Sequence, residues 1–288
     1  MKKSRLLLTV VIFLGLWLLP PNHLPAQKEE AQKVGKEITK RARRIAGKDR
    51  LDGVLSGRTR VLDLTYPLNA QTPYWPAPNY EPLKHEFFAT LEKDGVLSGR
   101  YCAPEHLGTH VDAPNHFERG GIPLDKIALD DLFGYAVVIN VRGKAASNPD
   151  YRVSPADLQE WERKNHEIPD GAIVLAYTGW GERVENLEQY QNKDSQGVMH
   201  FPGWSTEAVD FLLRARNINA IGMDTLSMDY GPSKDFAVHH LLMSAGKYGL
   251  ENVAHLDQMP PRGGFLIVSP IKIEGGSGGQ ARIYALIE

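Results

Sequence analysis

The chain is nearly without cysteine. Cys102 is the only one in 288 residues, which excludes an internal disulfide and leaves stability to packing. No cysteine follows the apolar run near the N-terminus, which excludes a lipid-anchored lipoprotein. Positive charge is not in excess: 33 Lys and Arg against 35 Asp and Glu leave a formal net charge of −2. Basic and aromatic residues form no recognisable DNA- or RNA-binding motif, so no nucleic-acid partner is expected. The apolar run Leu6 to Leu19 is short. As a helix it spans about 21 Å at 1.5 Å per residue, against a hydrocarbon core of about 30 Å.

That run follows Lys2, Lys3 and Arg5, ends at Pro20-Pro21, and precedes Leu24-Pro25-Ala26. A charged, then apolar, then small-residue pattern reads as a secretory signal over residues 1–26. The expectation is a periplasmic or secreted protein with no stable membrane span after cleavage. Residues 27–60 form an extension. Within it Val34, Ile38, Ala42 and Ile45 recur at near-helical spacing among Lys, Arg and Glu, predicting an amphipathic helix with a solvated face; membrane-surface anchoring is the alternative. The remainder, 61–288, is ordinary globular sequence, the whole chain being 24% charged and 42% hydrophobic. It is long enough for a sizeable core.

Within that domain the apolar patterning alternates. Val61 to Thr65, Glu86 to Leu91, Tyr135 to Val141, Ala172 to Tyr177 and Ile218 to Met223 read as strands. Ser154-Pro155 opens a helix to about Lys164, and Ser205 to Arg216 is amphipathic. Glu182 to Met199 reads as a polar surface excursion, and Gly264 to Ile273 as two strands before a glycine-rich loop at 275–279. That loop lacks the Walker lysine and reads as a tight turn packed near the site. Strands interleaved with helices define a single α/β domain.

The densest chemistry lies in His106-Leu107-Gly108-Thr109-His110-Val111-Asp112-Ala113-Pro114-Asn115-His116-Phe117. Three imidazoles and a carboxylate are donors for borderline or hard divalent metals. In a straight strand His106 and His110 would be roughly 13 Å apart at Cα, at the limit for sharing an ion at about 2.1 Å. Gly108 allows the turn that brings them together. His110 and Asp112 share a strand face. Pro114 breaks any helix and re-aims His116, which then stands near the metal as acid or base. Cys102, four residues upstream, reads as a small buried side chain, with a ligand or nucleophile role as the alternative. Farther on, His239, His240 and Glu251 form a second metal-type group, weak by itself.

The string His-x-Gly-Thr-His-x-Asp-x-Pro-x-His-Phe resembles the signature of the cyclase family, which includes bacterial kynurenine formamidases and isatin hydrolases. The resemblance spans Val61 to Ile287. It implies a mixed β-sheet core of the swivelling β/β/α type, assembled as a homodimer or homotetramer. It implies that His239, in the family register where His240 is not, and Glu251 complete the metal site. One or two ions, Zn2+ or Mn2+, would then bind His106, His110, Asp112, His239 and Glu251. It places Trp75, in Thr72-Pro73-Tyr74-Trp75-Pro76, on the wall of a small-molecule substrate pocket. The chemistry implied is a metal-activated water attacking an amide, formamide, cyclic amide or lactone, with His116 carrying the proton. The alternatives are a metal-dependent cyclase or dehydratase, and an exported metal-binding protein without catalysis. Export and the extra length depart from compact cytoplasmic formamidases and leave the substrate open.

Overall fold

β-branched and aliphatic runs lay down the strands in a computed structural model that describes residues 50 and 52–287. The signal expected at 1–26 and nearly all of the leading helix lie outside the described residues. The first strand, β1, is Arg60–Asp63. Strands β2 (Lys84–Ala89) and β3 (Ser98–Cys102) form a separate hairpin. One helical turn joins them, α1 (Leu91–Asp94), where the expected strand stops short and Gly95 closes the turn in the left-handed region. Cys102 is exposed at the end of this hairpin, not buried as expected, because nothing of the core reaches the ribbon. Then follow β4 (His110–Asp112), β5 (Phe133–Asn140) and α2 (Arg142–Ser147).

Strand β6 (Arg152–Val153) leads to α3 (Pro155–Asn165), where the Ser154 N–H donates to Asp157 at 2.7 Å and Pro155 holds the first helical position. Next come β7 (Ile173–Tyr177), α4 (Leu187–Gln191), β8 (Gly203–Trp204), α5 (Thr206–Ala215) and β9 (Ala220–Met223). Helix α6 (Ala237–Ser244), β10 (Tyr248–Glu251), β11 (Phe265–Pro270) and β12 (Gly278–Ile287) complete the chain.

Eight strands make one mixed sheet in the order β1-β12-β11-β5-β7-β9-β10-β4, and β4 also pairs with β12, so the sheet closes into a barrel. Strands β5, β7, β9 and β10 run parallel; β4, β12 and β11 close the circle antiparallel. Closure depends on the length of β12. Its first residues pair with β4 and its last with β1 along the same edge. The glycine-rich stretch therefore runs into a strand, where its composition predicts a turn.

Strand alternation sorts the side chains. Val111, Val138, Leu175, Leu250 and Ala285 pack in one cluster fed by all the barrel strands. Their odd-even neighbours Val137, Ile139 and Val174 pack with Leu158, Trp161, Leu212 and Leu242 of the helices α3, α5 and α6. The barrel is thus filled by side chains, and helices cover its outside. The segment 182–199 is not a surface excursion. Tyr190 and Met199 are buried with Trp180, Phe201 and Leu226 in a third cluster; polar neighbours hide these spaced aromatics from any periodicity.

Candidate active site

Parity places the site. Val111 and Leu250 face the barrel core, so their neighbours His110, Asp112 and Glu251 face the other way. Strands β4 and β10 pair with Glu251 opposite His110 and Gly249 opposite Asp112. Helix α6 lies over this face and brings down His239, buried, while His240 is exposed. Gly108 (φ +63°) turns the chain so that His106 also reaches the cluster. Two triads result, His106–His110–Asp112 and Asp112–His239–Glu251, with donor atoms within 4.8 Å of one another in each. Every ligand expected from the sequence is in this cluster. Glu251 closes its strand.

The imidazole nitrogens are not interchangeable here. His110 Nδ1–H donates to the Gly108 carbonyl (2.8 Å). His239 Nδ1–H donates to the Asp229 carboxylate (2.7 Å). His106 Nε2 meets the Ser277 hydroxyl oxygen (2.9 Å), whose own proton goes to Glu105 (2.6 Å). Each ring can therefore spend one N–H on an outward acceptor and offer the lone pair of its inward nitrogen to a cation. Those inward nitrogens face carboxylate oxygens: His106 Nδ1 is 2.5 Å and His110 Nε2 3.0 Å from Asp112 Oδ1. His239 Nε2 is 3.2 Å from Glu251 Oε1 and 3.6 Å from Asp112 Oδ2. His110 Nε2 and Asp112 Oδ2 are buried with no hydrogen-bond partner. Buried acceptors facing acceptors are costly unless something positive lies between them. Mixed nitrogen and oxygen donors without thiolate fit a divalent cation.

Without that cation the cluster has to hold protons. Burial works against charge on Asp112, but His110 and His106 outweigh it and hold its carboxyl well below the ordinary range. Burial would lower His110; Asp112, with Glu251 behind it, instead holds it up at about 9. Burial, then the Asp112 charge, pushes Glu251 up.

His116 differs in kind. Pro114 starts a 3-10 turn, Pro114–His116, which lays the His116 ring flat on His106 with centroids 3.8 Å apart and planes 21° from parallel. Burial above all pushes its pKa down to about 3, so it is a neutral base at physiological pH. In front lies a cavity of about 150 Å³ lined by His116, Trp75, Tyr74, Tyr80, Phe117 and Phe236, among others. Trp75 meets Phe236 edge-on at 5.4 Å. Sequence reasoning missed Asp229, Phe236, Tyr80 and Asn252 at this site. They arrive by tertiary packing, and only Asp229 leaves a local trace, capping α6 through the N–H groups of Val238 (3.0 Å) and His239 (3.2 Å).

A cation between such donors, with a neutral base at its side, defines a metal-dependent hydrolase. Comparison with known proteins supplies the family. The Cyclase family profile, described as "Putative cyclase", matches residues 62–230, more than half of the chain. The chain is 30% identical over 250 residues to the isatin hydrolase of Roseibium aggregatum, covering 81% of this chain and 94% of that protein. It is 27% identical over 228 residues to the kynurenine formamidase of Salinibacter ruber, with 77% and 95% covered. The solved structure of isatin hydrolase A from Ralstonia solanacearum superposes with a TM-score of 0.79 at 35% identity, with 83% of this chain and 95% of that one covered. The chain belongs to the cyclase family.

Proposed function

We propose that this protein hydrolyses the amide bond of a small, neutral, aromatic cyclic amide, as an isatin hydrolase does. One observation carries the choice: among the described residues lining the cavity there is no lysine or arginine, and Tyr74, Trp75, Tyr80, Phe117 and Phe236 together face the metal-ligand cluster across it. A formylkynurenine carries an α-carboxylate and an α-ammonium, and burying either without a partner is expensive. A neutral ring needs only the apolar surface that Trp75, Phe117 and Phe236 offer.

His106, His110 and Asp112 would hold a zinc or manganese ion, with His239 and Glu251 completing the donor set; Asp112 belongs to both triads, so one ion or a bridged pair meets the same residues. Bound there, a divalent cation supplies Lewis acidity for the substrate carbonyl and for water. The chain's own residues do the rest. His116, neutral because it is buried, accepts a proton from the attacking water and passes it to the leaving nitrogen. Trp75 and Phe236, which meet edge-on, offer the surfaces for the aromatic ring, with Tyr74 and Tyr80 in the same wall. The apolar wall limits competing water at the carbonyl.

The N-terminal pattern at 1–26 supports export, which the mass of the mature N-terminus tests; a homo-oligomeric assembly is tested by light scattering. The decisive experiment strips the purified protein with chelator, restores zinc or manganese separately, and offers isatin, an N-formyl aromatic amino acid and an aromatic lactone. The expected result is metal-dependent addition of water, mass plus 18, fastest on the neutral cyclic amide. Preference for the zwitterionic formyl compound would overturn the substrate class, loss of water would point to a dehydratase, and activity surviving complete metal removal would end the mechanism.

A further inference from the structure

The three imidazoles of the cluster are not presented alike. His110 and His239 turn Nε2 inward, and each is pinned by a group that can only accept, the Gly108 carbonyl and the Asp229 carboxylate. His106 turns Nδ1 inward toward Asp112. Its outer nitrogen meets the hydroxyl of Ser277, and a hydroxyl can donate as well as accept. Alone, Ser277 would leave the tautomer of His106 undecided.

Glu105 decides it. Its Oε2 accepts the Ser277 hydroxyl proton at 2.6 Å, and also the backbone N–H of Ser277 at 2.8 Å and of Gly278 at 3.3 Å. With that proton committed, the Ser277 oxygen is left to accept from His106 Nε2–H. His106 Nδ1 is then the nitrogen left to give a lone pair to a cation shared with Asp112. The glycine-rich stretch also sets the aim of the ring. A Cβ at Gly278 would lie 2.5 Å from His106 Cε1 and 2.9 Å from Nδ1, so only a glycine lets the strand lie against the imidazole. We propose that Glu105 and Ser277 are a positioning relay that fixes the tautomer and direction of His106 for metal binding, and that holding this relay is the role of the glycine-rich stretch at the start of β12.

The inference rests on His106 being a metal ligand, so the test reads metal binding by itself. Zinc affinity is measured by competition with a chromophoric chelator, and the geometry of the bound ion by the visible absorption of the cobalt-substituted protein. Glu105→Gln supplies an amide that can donate to Ser277, freeing the hydroxyl to donate to His106. Its expected signature is an altered cobalt spectrum and a loss of zinc affinity of about 10- to 100-fold, the range for partners of metal-bound histidines. Ser277→Ala should lose a similar factor, and the double variant no more than the larger single loss, because the two act in series. Gln280→Ala is the control. It cuts the side-chain ties to the Pro104 and Glu105 carbonyls between the same segments, and should lower thermal stability without moving zinc affinity. Wild-type protein that takes up no metal defeats the underlying site. Wild-type protein that binds zinc while Glu105→Gln and Ser277→Ala bind it equally well, or a Gln280→Ala loss as large as theirs, overturns the relay.

Discussion

Asp224 and Glu251 stand at the ends of neighbouring parallel strands, Asp224 just beyond β9 and Glu251 closing β10, and both are buried. Their surroundings are opposite. Asp224 takes the Thr178 backbone N–H (3.0 Å), the Thr178 hydroxyl (2.7 Å) and the Gly179 N–H (2.9 Å). Those donors are fixed by the fold, and they offset much of the cost of burying the carboxylate. Glu251 takes one backbone N–H, from Met228 at 2.9 Å, and otherwise faces the inward nitrogens of His239 and His110. Burial alone therefore does not mark a functional carboxylate. A count of fixed donors does, because a buried acceptor surrounded by acceptors is stable only with a cation or a proton among them.

The sharpest way to break that contrast is to give the cluster the donors it lacks. Asp112→Asn places an amide N–H2 among the imidazole lone pairs. Metal content should fall to near zero, and kcat/KM by about 10³-fold or more, about 4 kcal/mol of transition-state stabilisation. The metal-free variant should unfold at a lower temperature than metal-free wild type, because the carboxylate that holds the His110 proton is gone and a buried charge loses its partner. An Asp112→Asn variant that still holds stoichiometric metal would show that Asp112 is not shared by the triads. His116→Ala comes next. It should keep the metal and lose about 10²- to 10⁴-fold in kcat, the range for a general base; metal loss instead would make His116 a ligand.

Asp224→Asn tests the other side of the contrast. The variant turns an amide donor toward one of three donors and should lose about 1–3 kcal/mol of stability, with zinc affinity unchanged. Burial, only partly offset by those donors, raises the Asp224 pKa above its ordinary 3.8. A raised carboxyl contributes stability that is fully present below the unfolded pKa and is lost as pH rises through the folded one. Wild type should accordingly lose stability as pH rises from 3.8 through the raised value, a slope that urea titrations would find missing from Asp224→Asn. Were the slope to survive, some other group would be its source.

The same contrast explains what can be read from the sequence. His106, His110, Asp112 and His116 are close in the chain, so local geometry predicts their convergence; strand parity and one proline suffice. The strands β5, β7 and β9 are continuous apolar runs and are equally legible. His239 and Glu251 are legible only through family resemblance, since a helix and a strand separated by a loop give no local reason to meet. Asp229, Ser277 and Glu105 act on the ligands through contacts that exist only once the barrel closes. Closure itself is hidden, because Gly278-Gly279 reads as a turn by composition and is a strand only by pairing with β4. Tyr190 escapes for a related reason: it is wholly buried, yet its neighbours are polar.

The smallest expected effect tests whether burial, not residue type, separates the two kinds of site. His200 sits between Asp150 and Asp194, 2.9 Å from one carboxylate and 3.5 Å from the other. This is one imidazole with two carboxylates, the composition of the triad Asp112–His239–Glu251. Here, however, the side chains are 28%, 32% and 37% exposed, and water can solvate any acceptor left over. Asp150, hydrogen-bonded to the ring, raises the His200 pKa above 6.5, so the contact contributes stability that is fully present below pH 6.5 and fades as pH rises through the raised value. Solvent screening keeps the contribution small. His200→Gln should lose about 0.2–1 kcal/mol near pH 6, less at about pH 9 and less in high salt, with no change in metal content at any pH. A loss of several kcal/mol, or a second metal equivalent released by the substitution, would mean that the exposed group behaves like the buried one and that counting donors is not enough to tell them apart.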